Sequence, residues 1–450
     1  MKRPGKSIIT AILAMLIAVP VFSQEATRDD LARQVRELQE KVAKLEQQGA
    51  IPAADLAEIR RQIDILTRQI EELQVGGKEP VAGEAGSHGL GAAASKVYRS
   101  EGGVSLGGYG EMVYENYASD RDDAAASGKT DQLDFLRAIL YAGYKFNDRV
   151  VFNSEIEIEH ATTGGGVGEV SLEFGYLDFM INPAFNVRAG MMLLPVGVVN
   201  ELHEPTAFLG AKRPDVERTI IPSTWRENGV GVFGEVGTVS YRAYLVNGMD
   251  SKKFTASGIR SGRQKGAVAK AEDFAFVGRL DWQPMPGAMV GGSLFTGGAD
   301  QGTKTPAGDA YDARVTLAEL HADAKVRGWL LRALWATGEI GDARQVNLAN
   351  GLTGNKSVGD EFGGWYGEVG YDLGTVLPIG EAAVIPFARY EELNSQESVP
   401  AGFALDPTKD ATVLTLGVSW KPIPQAVIKF DWQDYDNAGG TGVDQFNLGL

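Results

Sequence analysis

From residue 104 onward, apolar and polar residues alternate with a period of two, the spacing of a β-strand with two unlike faces. Ile428, Phe430 and Trp432 alternate with Lys429, Asp431 and Gln433, and Leu414, Leu416, Val418 and Trp420 with Thr415, Gly417 and Ser419. Phe152, Ile156 and Ile158 alternate with Asn153, Glu155, Glu157 and Glu159, and Phe274, Phe276, Leu280 and Trp282 with Asp273, Arg279 and Asp281. The pattern predicts strands near 104–117, 133–146, 150–160, 169–181, 186–194, 229–235, 239–246, 274–282, 288–295, 314–326, 329–337, 362–373, 382–391, 412–420, 427–432 and 443–450. Short turns (147–149, 182–184, 236–238, 283–286, 421–424) alternate with long polar loops, of which 195–228 is the longest in the first half. An even strand number with that alternation predicts an all-β transmembrane fold. The expected architecture is a 16-stranded antiparallel outer-membrane β-barrel with periplasmic turns and extracellular loops. Its apolar face would meet outer-membrane lipid and its charged face a wet lumen. Aromatic residues near strand ends (Trp282, Trp329, Trp420, Tyr144, Phe146) favour this over a soluble barrel, which would turn its charges outward.

Ahead of the strands the period changes. Leu31, Val35, Leu38, Val42 and Leu45, then Leu56, Ile59, Ile63, Leu66, Ile70 and Leu73, recur at alternating gaps of three and four, the a/d spacing of a coiled coil. The register continues through Gly49 and Pro52, although a proline disturbs the helix there. Two readings stay open, a bundle of parallel helices from several chains or a helical hairpin folding back near 49–54. Residues 1–23 have the basic start (Lys2, Arg3, Lys6), short apolar stretch and small residues (Val21, Ser23) of a secretory signal peptide. The domain order is therefore signal peptide 1–23, periplasmic α-helical coiled coil 24–74, flexible Gly/Ala/Ser linker 75–103 and barrel 104–450.

Composition narrows the function. The chain has no cysteine, which excludes a disulfide scaffold, a Cys-ligated metal and a Cys nucleophile. A net charge of −16 argues against nucleic acid as a partner. No run of about 18 apolar residues follows the leader, so membrane-spanning helices are not expected.

Candidate chemistry concentrates in the loop after the fifth strand. It carries Glu201, His203, Glu204, Lys212, Arg213, Asp215, Glu217, Arg218, Arg226 and Glu227. Folded inward, it would narrow the lumen, where its charges act at short range on passing ions. Strand parity also turns Arg137, Arg188, Arg242, Arg279, Arg332, Arg389, Glu155, Glu157, Glu159, Glu173, Glu319, Asp323 and Glu368 toward the lumen. With both signs present, anion or cation preference cannot be counted from the sequence.

The stretch Val187-Arg188-Ala189-Gly190-Met191-Met192-Leu193-Leu194-Pro195-Val196-Gly197 resembles a segment of the phosphate-selective porin O and P family. Ser223-Thr224-Trp225-Arg226-Glu227-Asn228-Gly229-Val230-Gly231 and Tyr244-Leu245-Val246-Asn247-Gly248 are similar to that family as well. The resemblance is best over residues 133–248 and implies a 16-stranded homotrimeric porin that passes small hydrophilic solutes or ions, anions among them. Leu193 stands where the family has a lysine, so phosphate selectivity is not carried over.

Other signals are weak. The segment 297–305 misses a phosphate-binding loop because Thr303 separates Gly302 from Lys304. Asp434, Asp436 and Gly439 only partly match an EF-hand loop. His88, His160, His203 and His321 lack metal-ligand spacing, so no metal, cofactor or catalytic residue is expected. Two rival functions remain. One is an envelope-tethering or adhesion barrel that touches the cell wall through its coiled coil. The other is a barrel hydrolase, for which His160 and His203 would have to meet near the mouth.

Overall fold

The structure, a computed structural model, describes residues 88–450. The expected signal peptide, the coiled coil and linker residues 75–87 lie outside the described residues. Sixteen strands follow one another: β1 (Gly103–Tyr117), β2 (Gln132–Asn147), β3 (Val150–Glu159), β4 (Val170–Asn182), β5 (Phe185–Leu193), β6 (Arg226–Val236), β7 (Val239–Asn247), β8 (Phe274–Met285), β9 (Ala288–Gly297), β10 (Val315–Val326), β11 (Trp329–Ile340), β12 (Glu361–Tyr371), β13 (Ala383–Ser398), β14 (Asp410–Ile423), β15 (Ala426–Asn437) and β16 (Gln445–Gly449). Each pairs antiparallel with its neighbours in sequence, and β16 returns to β1, so the sheet closes into a barrel. Closure leaves no open sheet around the ring, the condition for a β-structure in lipid. Among the described residues, three short α-helices lie between strands or ahead of them: α1 (Lys96–Arg99), α2 (Val216–Thr219) and α3 (Ala343–Asn350).

At one end of the barrel the strands are joined by two-residue turns at 148–149, 183–184, 237–238, 286–287, 327–328 and 424–425, and by the longer 372–382. Long loops, from 438–444 up to 194–225, occupy the other end. Two turns sit later than the proline-rich segments 283–286 and 421–424 suggested. Strand β8 runs through Pro284 and β14 through Pro422, each with a register shift against its partner, between Trp282 and Met285 and between Trp420 and Ile423. Such an irregularity tolerates a residue that cannot donate to the ladder.

Alternation divides the wall into two faces. Phe276, Leu280 and Trp282 of β8 are exposed on the outside, whereas Arg279 and Asp281 between them are buried inside. The lumen is not polar throughout. Tyr244, Val246, Ala275, Val277, Phe295, Val315 and Leu317 on β7 to β10 form one apolar cluster with Leu194, Ile220, Ile221 and Trp225 of the 194–225 loop. Burying each such large apolar side chain contributes about 1.5–3 kcal/mol. A hydrophobic core therefore forms inside the barrel, between its wall and the loop.

The end of the expected flexible linker departs from that expectation. Leu90, Ala94, Ser95 and Val97 are buried, and residues 88–102 lie inside the short-turn end of the barrel. Small residues allow this close approach. A Cβ at Gly91 would come within 2.2 Å of the Glu204 carboxylate.

Candidate functional site: a loop across the lumen

The loop of residues 194–225 leaves β5 and returns to β6 through a closed neck. The Leu194 amide donates to Trp225 O at 2.9 Å. Asn200 bridges the same two residues, giving its amide hydrogens to both carbonyls and accepting from the Trp225 amide at 2.8 Å. The Trp225 ring lies tilted against Phe295 of β9 at 4.5 Å between centroids, so the neck is held by apolar contact as well.

Beyond the neck the loop folds into the barrel and is fastened to one strand after another. Arg279 of β8 donates to Gly197 O, and Arg242 of β7 pairs with Glu201. His203 reaches Glu155 of β3 at 3.0 Å. Lys421 of β14 donates to Thr206 O at 3.0 Å, Arg332 of β11 to Ala207 O at 3.2 Å and Lys429 of β15 to Gly210 O at 2.8 Å. The Ala211 amide donates to Asp431 of β15, Lys212 pairs with Glu115 of β1 at 2.7 Å and the Val216 amide donates to Glu391 of β13 at 3.0 Å. Glu217 accepts from Tyr366 of β12 and from the Val199 amide, both at 2.6 Å. Charged partners dominate this set, and hydrogen bonds to charged groups are the stronger ones.

Electrostatics inside the loop follow from this enclosure. Burial pushes the Glu217 and Glu204 carboxyls above their ordinary range. Burial also disfavours the charged form of His203, but the Glu155 carboxylate outweighs it and holds the imidazole pKa above 6.5. Both ring nitrogens of His203 face acceptors, Glu155 and Asn200 O at 3.1 Å, an arrangement that suits the doubly protonated ring. Asp215 is buried too, yet Arg218 beside it keeps its carboxyl below the ordinary range.

The ten loop positions singled out by sequence divide into two groups. Glu201, His203, Glu204, Lys212, Arg213, Asp215, Glu217 and Arg218 belong to the loop. Arg226 and Glu227 belong to the wall, because the ladder with β5 continues through Leu193–Arg226 and Met192–Glu227 pairs. Arg226 pairs with Glu173 at 2.7 Å, and Glu227 accepts from Asn247 at 2.6 Å.

All six arginines assigned by parity face the lumen side, each with a carboxylate. Arg137 pairs with Glu111 and Glu157, Arg188 with Asp178, Arg242 and Arg279 with Asp281, Arg332 with Asp323, and Arg389 with Glu368 and Glu391. Glu155, Glu157 and Glu173 are the partners of His203, Arg137 and Arg226. Glu319 holds His321 at 2.9 Å, and His321 also faces Asp281. Glu111, Asp178, Glu391 and Tyr366 were not singled out from sequence. Strand parity was the signal available for Asp178, but it does not say which inward residue meets which.

Around the loop, three arginines run against the acidic balance of the chain as a whole. Among the described residues, Arg213, Arg260 and Arg263 have no carboxylate within ion-pair distance; they donate to the carbonyls of His203, Arg218, Ser223 and Thr224. Burial, then the nearby Arg263, Arg218 and Arg213, push the Arg260 pKa down to about 9. Burial and Arg226 push Arg263 down to about 10. A cavity of about 280 Å³ opens beside them, lined by Arg218, Arg260 and Lys409 and by hydroxyls of Thr255, Ser257, Ser261 and Ser395.

The two histidines that a barrel hydrolase would bring together are engaged separately, His160 with Asp134 at 2.5 Å and His203 with Glu155.

No family model matches the chain. Over 359 residues it is 39% identical to an uncharacterized protein of Aquifex aeolicus (strain VF5), spanning 77% of this chain and 79% of that protein. Among solved structures it is similar to OmpF of Salmonella typhi in complex with daunomycin, at 12% identity, a TM-score of 0.52 and coverage of 78% of this chain and 98% of that one. It is likewise similar to a loop L8 deletion mutant of OmpT, an outer membrane protein of Vibrio cholerae, at 12% identity, a TM-score of 0.50 and the same coverage. The fold is that of the outer-membrane porins.

Proposed function

The chain belongs to the same family as the Aquifex aeolicus protein, and we propose that it is a non-enzymatic porin of the bacterial outer membrane. In this reading it forms a water-filled channel for passive diffusion of small hydrophilic solutes or ions. The observation that carries the reading is the 194–225 loop, lying inside a barrel whose outer face is apolar and fastened to its walls by charged side chains. A loop so held sets the width and the field of the path, and these two properties govern selectivity in a passive channel. The path is the constriction lined by the loop residues and the paired arginines described above.

Arg260 and Arg263 at the long-loop end and Arg213 within the loop, none with a carboxylate partner, favour anions. Fixed like charges crowded in a partly enclosed volume raise the local concentration of counter-ions. Resemblance to the phosphate-selective porin O and P family agrees in sign, but Leu193 in place of that family's lysine leaves phosphate itself unassigned. The reading includes a homotrimer in outer-membrane lipid, exported by the 1–23 signal peptide. Segment 24–74 would stand in the periplasm, where it assists assembly and reaches toward the cell wall.

Reversal potentials of the purified protein in planar bilayers under a salt gradient test the proposal. Discrete conductance steps with an anion-selective potential are expected, and Arg260→Gln/Arg263→Gln should move that potential toward cations. A folded protein that gives no steps would sink the channel reading.

A further inference from the structure

Residues 88–102 stand in the lumen at the short-turn end, on the opposite side of the loop from the arginine-lined mouth. Leu90 and Ala94 belong to the apolar cluster inside the barrel, Ala93 and Tyr98 pack against it and Val97 is buried, and side-chain hydrogen bonds complete their hold. Asn153 of β3 donates to Ala94 O at 2.8 Å, and Lys145 of β2 donates to Ser100 O at 2.9 Å. The Tyr98 phenol donates to Asp178 of β4 at 2.6 Å. The His88 ring meets Tyr98 and Phe233 edge-on, at 4.6 and 5.3 Å. The segment adds no strand to the barrel, since β1 to β5 already pair with one another.

The seat beneath Tyr98 is complete without it. Arg188 holds Asp178 through two hydrogen bonds of 2.8 and 2.9 Å and lies over the Tyr176 ring at 3.9 Å. Withdrawing Tyr98 therefore breaks hydrogen bonds but strands no buried charge, the outcome that makes breaking a buried polar contact most costly. The barrel ladder and the Arg188–Asp178 pair both survive the departure. The same segment also touches the loop, for the Ala94 amide donates to Glu204 at 3.4 Å.

We infer that residues 88–102 form a displaceable plug, seated on the Tyr176–Asp178–Arg188 cradle, that obstructs the short-turn end of the channel and leaves without unfolding the barrel. This rests on the channel reading. Occupancy of the seat, set by these hydrogen bonds together with the apolar contacts of Leu90, Ala94 and Val97, then controls conductance.

The absence of native cysteine allows a clean lock. A Cβ placed at Gly143 would lie 2.8 Å from Val97 Cβ, so Val97→Cys with Gly143→Cys needs a separation of about an ångström to reach disulfide spacing. In the full chain in planar bilayers, the oxidised pair should hold the low-conductance state, and dithiothreitol should restore openings; the unmodified protein should not respond. A pair shown by mass to be oxidised, yet conducting like its reduced form, overturns the plug. Tyr98→Phe with Asn153→Ala tests it without any cross-link. The open-to-plugged ratio should rise about fivefold for each hydrogen bond lost. Unchanged conductance in that folded variant also overturns the plug. No conductance in any form overturns the channel reading instead.

Discussion

The phenol of Tyr366, on β12, donates a 2.6 Å hydrogen bond to the carboxylate of Glu217, which the chain delivers from the loop that began at β5. Both side chains are buried, and the other oxygen of Glu217 is held by the Val199 amide. One carboxylate thus joins the near end of the loop, its far end and the facing wall.

Tyr366→Phe removes one of those three links while leaving the ladder of β12 intact. An unmet acceptor in a buried site costs about 1–3 kcal/mol. The variant should show noisier open-channel current and a changed conductance, read in single-channel recordings. Its unboiled form should still run as a folded barrel in SDS gels.

Gly197 adopts φ +75°, and a Cβ there would lie 2.6 Å from the Glu217 carboxylate. Gly197→Ala should cost about 1–2 kcal/mol from the left-handed backbone alone, before the clash is counted. The readout is trypsin. Lys212 and Arg218 should resist cleavage in the unmodified barrel and become accessible in the variant, with nicked fragments identified by mass.

His203 gives the loop a pH dependence of known sign. Its folded pKa lies above the ordinary 6.5, so the contact with Glu155 stabilises the loop fully below that value and is lost as pH rises through the folded pKa. Conductance noise should therefore grow as pH rises above the ordinary histidine value of 6.5. His203→Gln should flatten that dependence. An equally steep profile in the variant would assign it to another group.

Neutralising Lys212, Arg213 and Arg218 together should shift the reversal potential toward cations. Lys212 is paired with Glu115 and Arg218 with Asp215, so the triple variant also leaves two acids without their partners. Two unit charges 4 Å apart interact by about 4 kcal/mol at an effective dielectric of 20 and about 1 in bulk water. An unchanged potential in a folded triple variant would place permeating ions away from this loop.

The barrel was legible because lipid and lumen impose opposite demands on successive residues, and β14 and β15 carry that alternation without interruption. Strand ends were less legible. Strand β13 continues to Ser398 through Glu391-Glu392-Leu393-Asn394, where the apolar face that marks a strand gives out. The charges of the 194–225 loop stood out, but their partners did not: Ala211 and Asp431 meet across 220 residues of sequence, and nothing local encodes the pairing. The seated segment was the least visible. Gly89, Gly91 and Ala92 to Ala94 are as small as tether residues would be, and only the wall beside them shows that smallness serves close packing.

A ring held solely by its hoop of ladder hydrogen bonds keeps its circumference but readily flattens into an oval. The loop supplies chords. From its single root between β5 and β6, it ties Glu155 on one side and Glu391, Lys429 and Asp431 on the other to one piece of backbone. Flattening in any direction must stretch some of these ties, so squeezing by the surrounding bilayer meets resistance from inside the bore as well as from its rim.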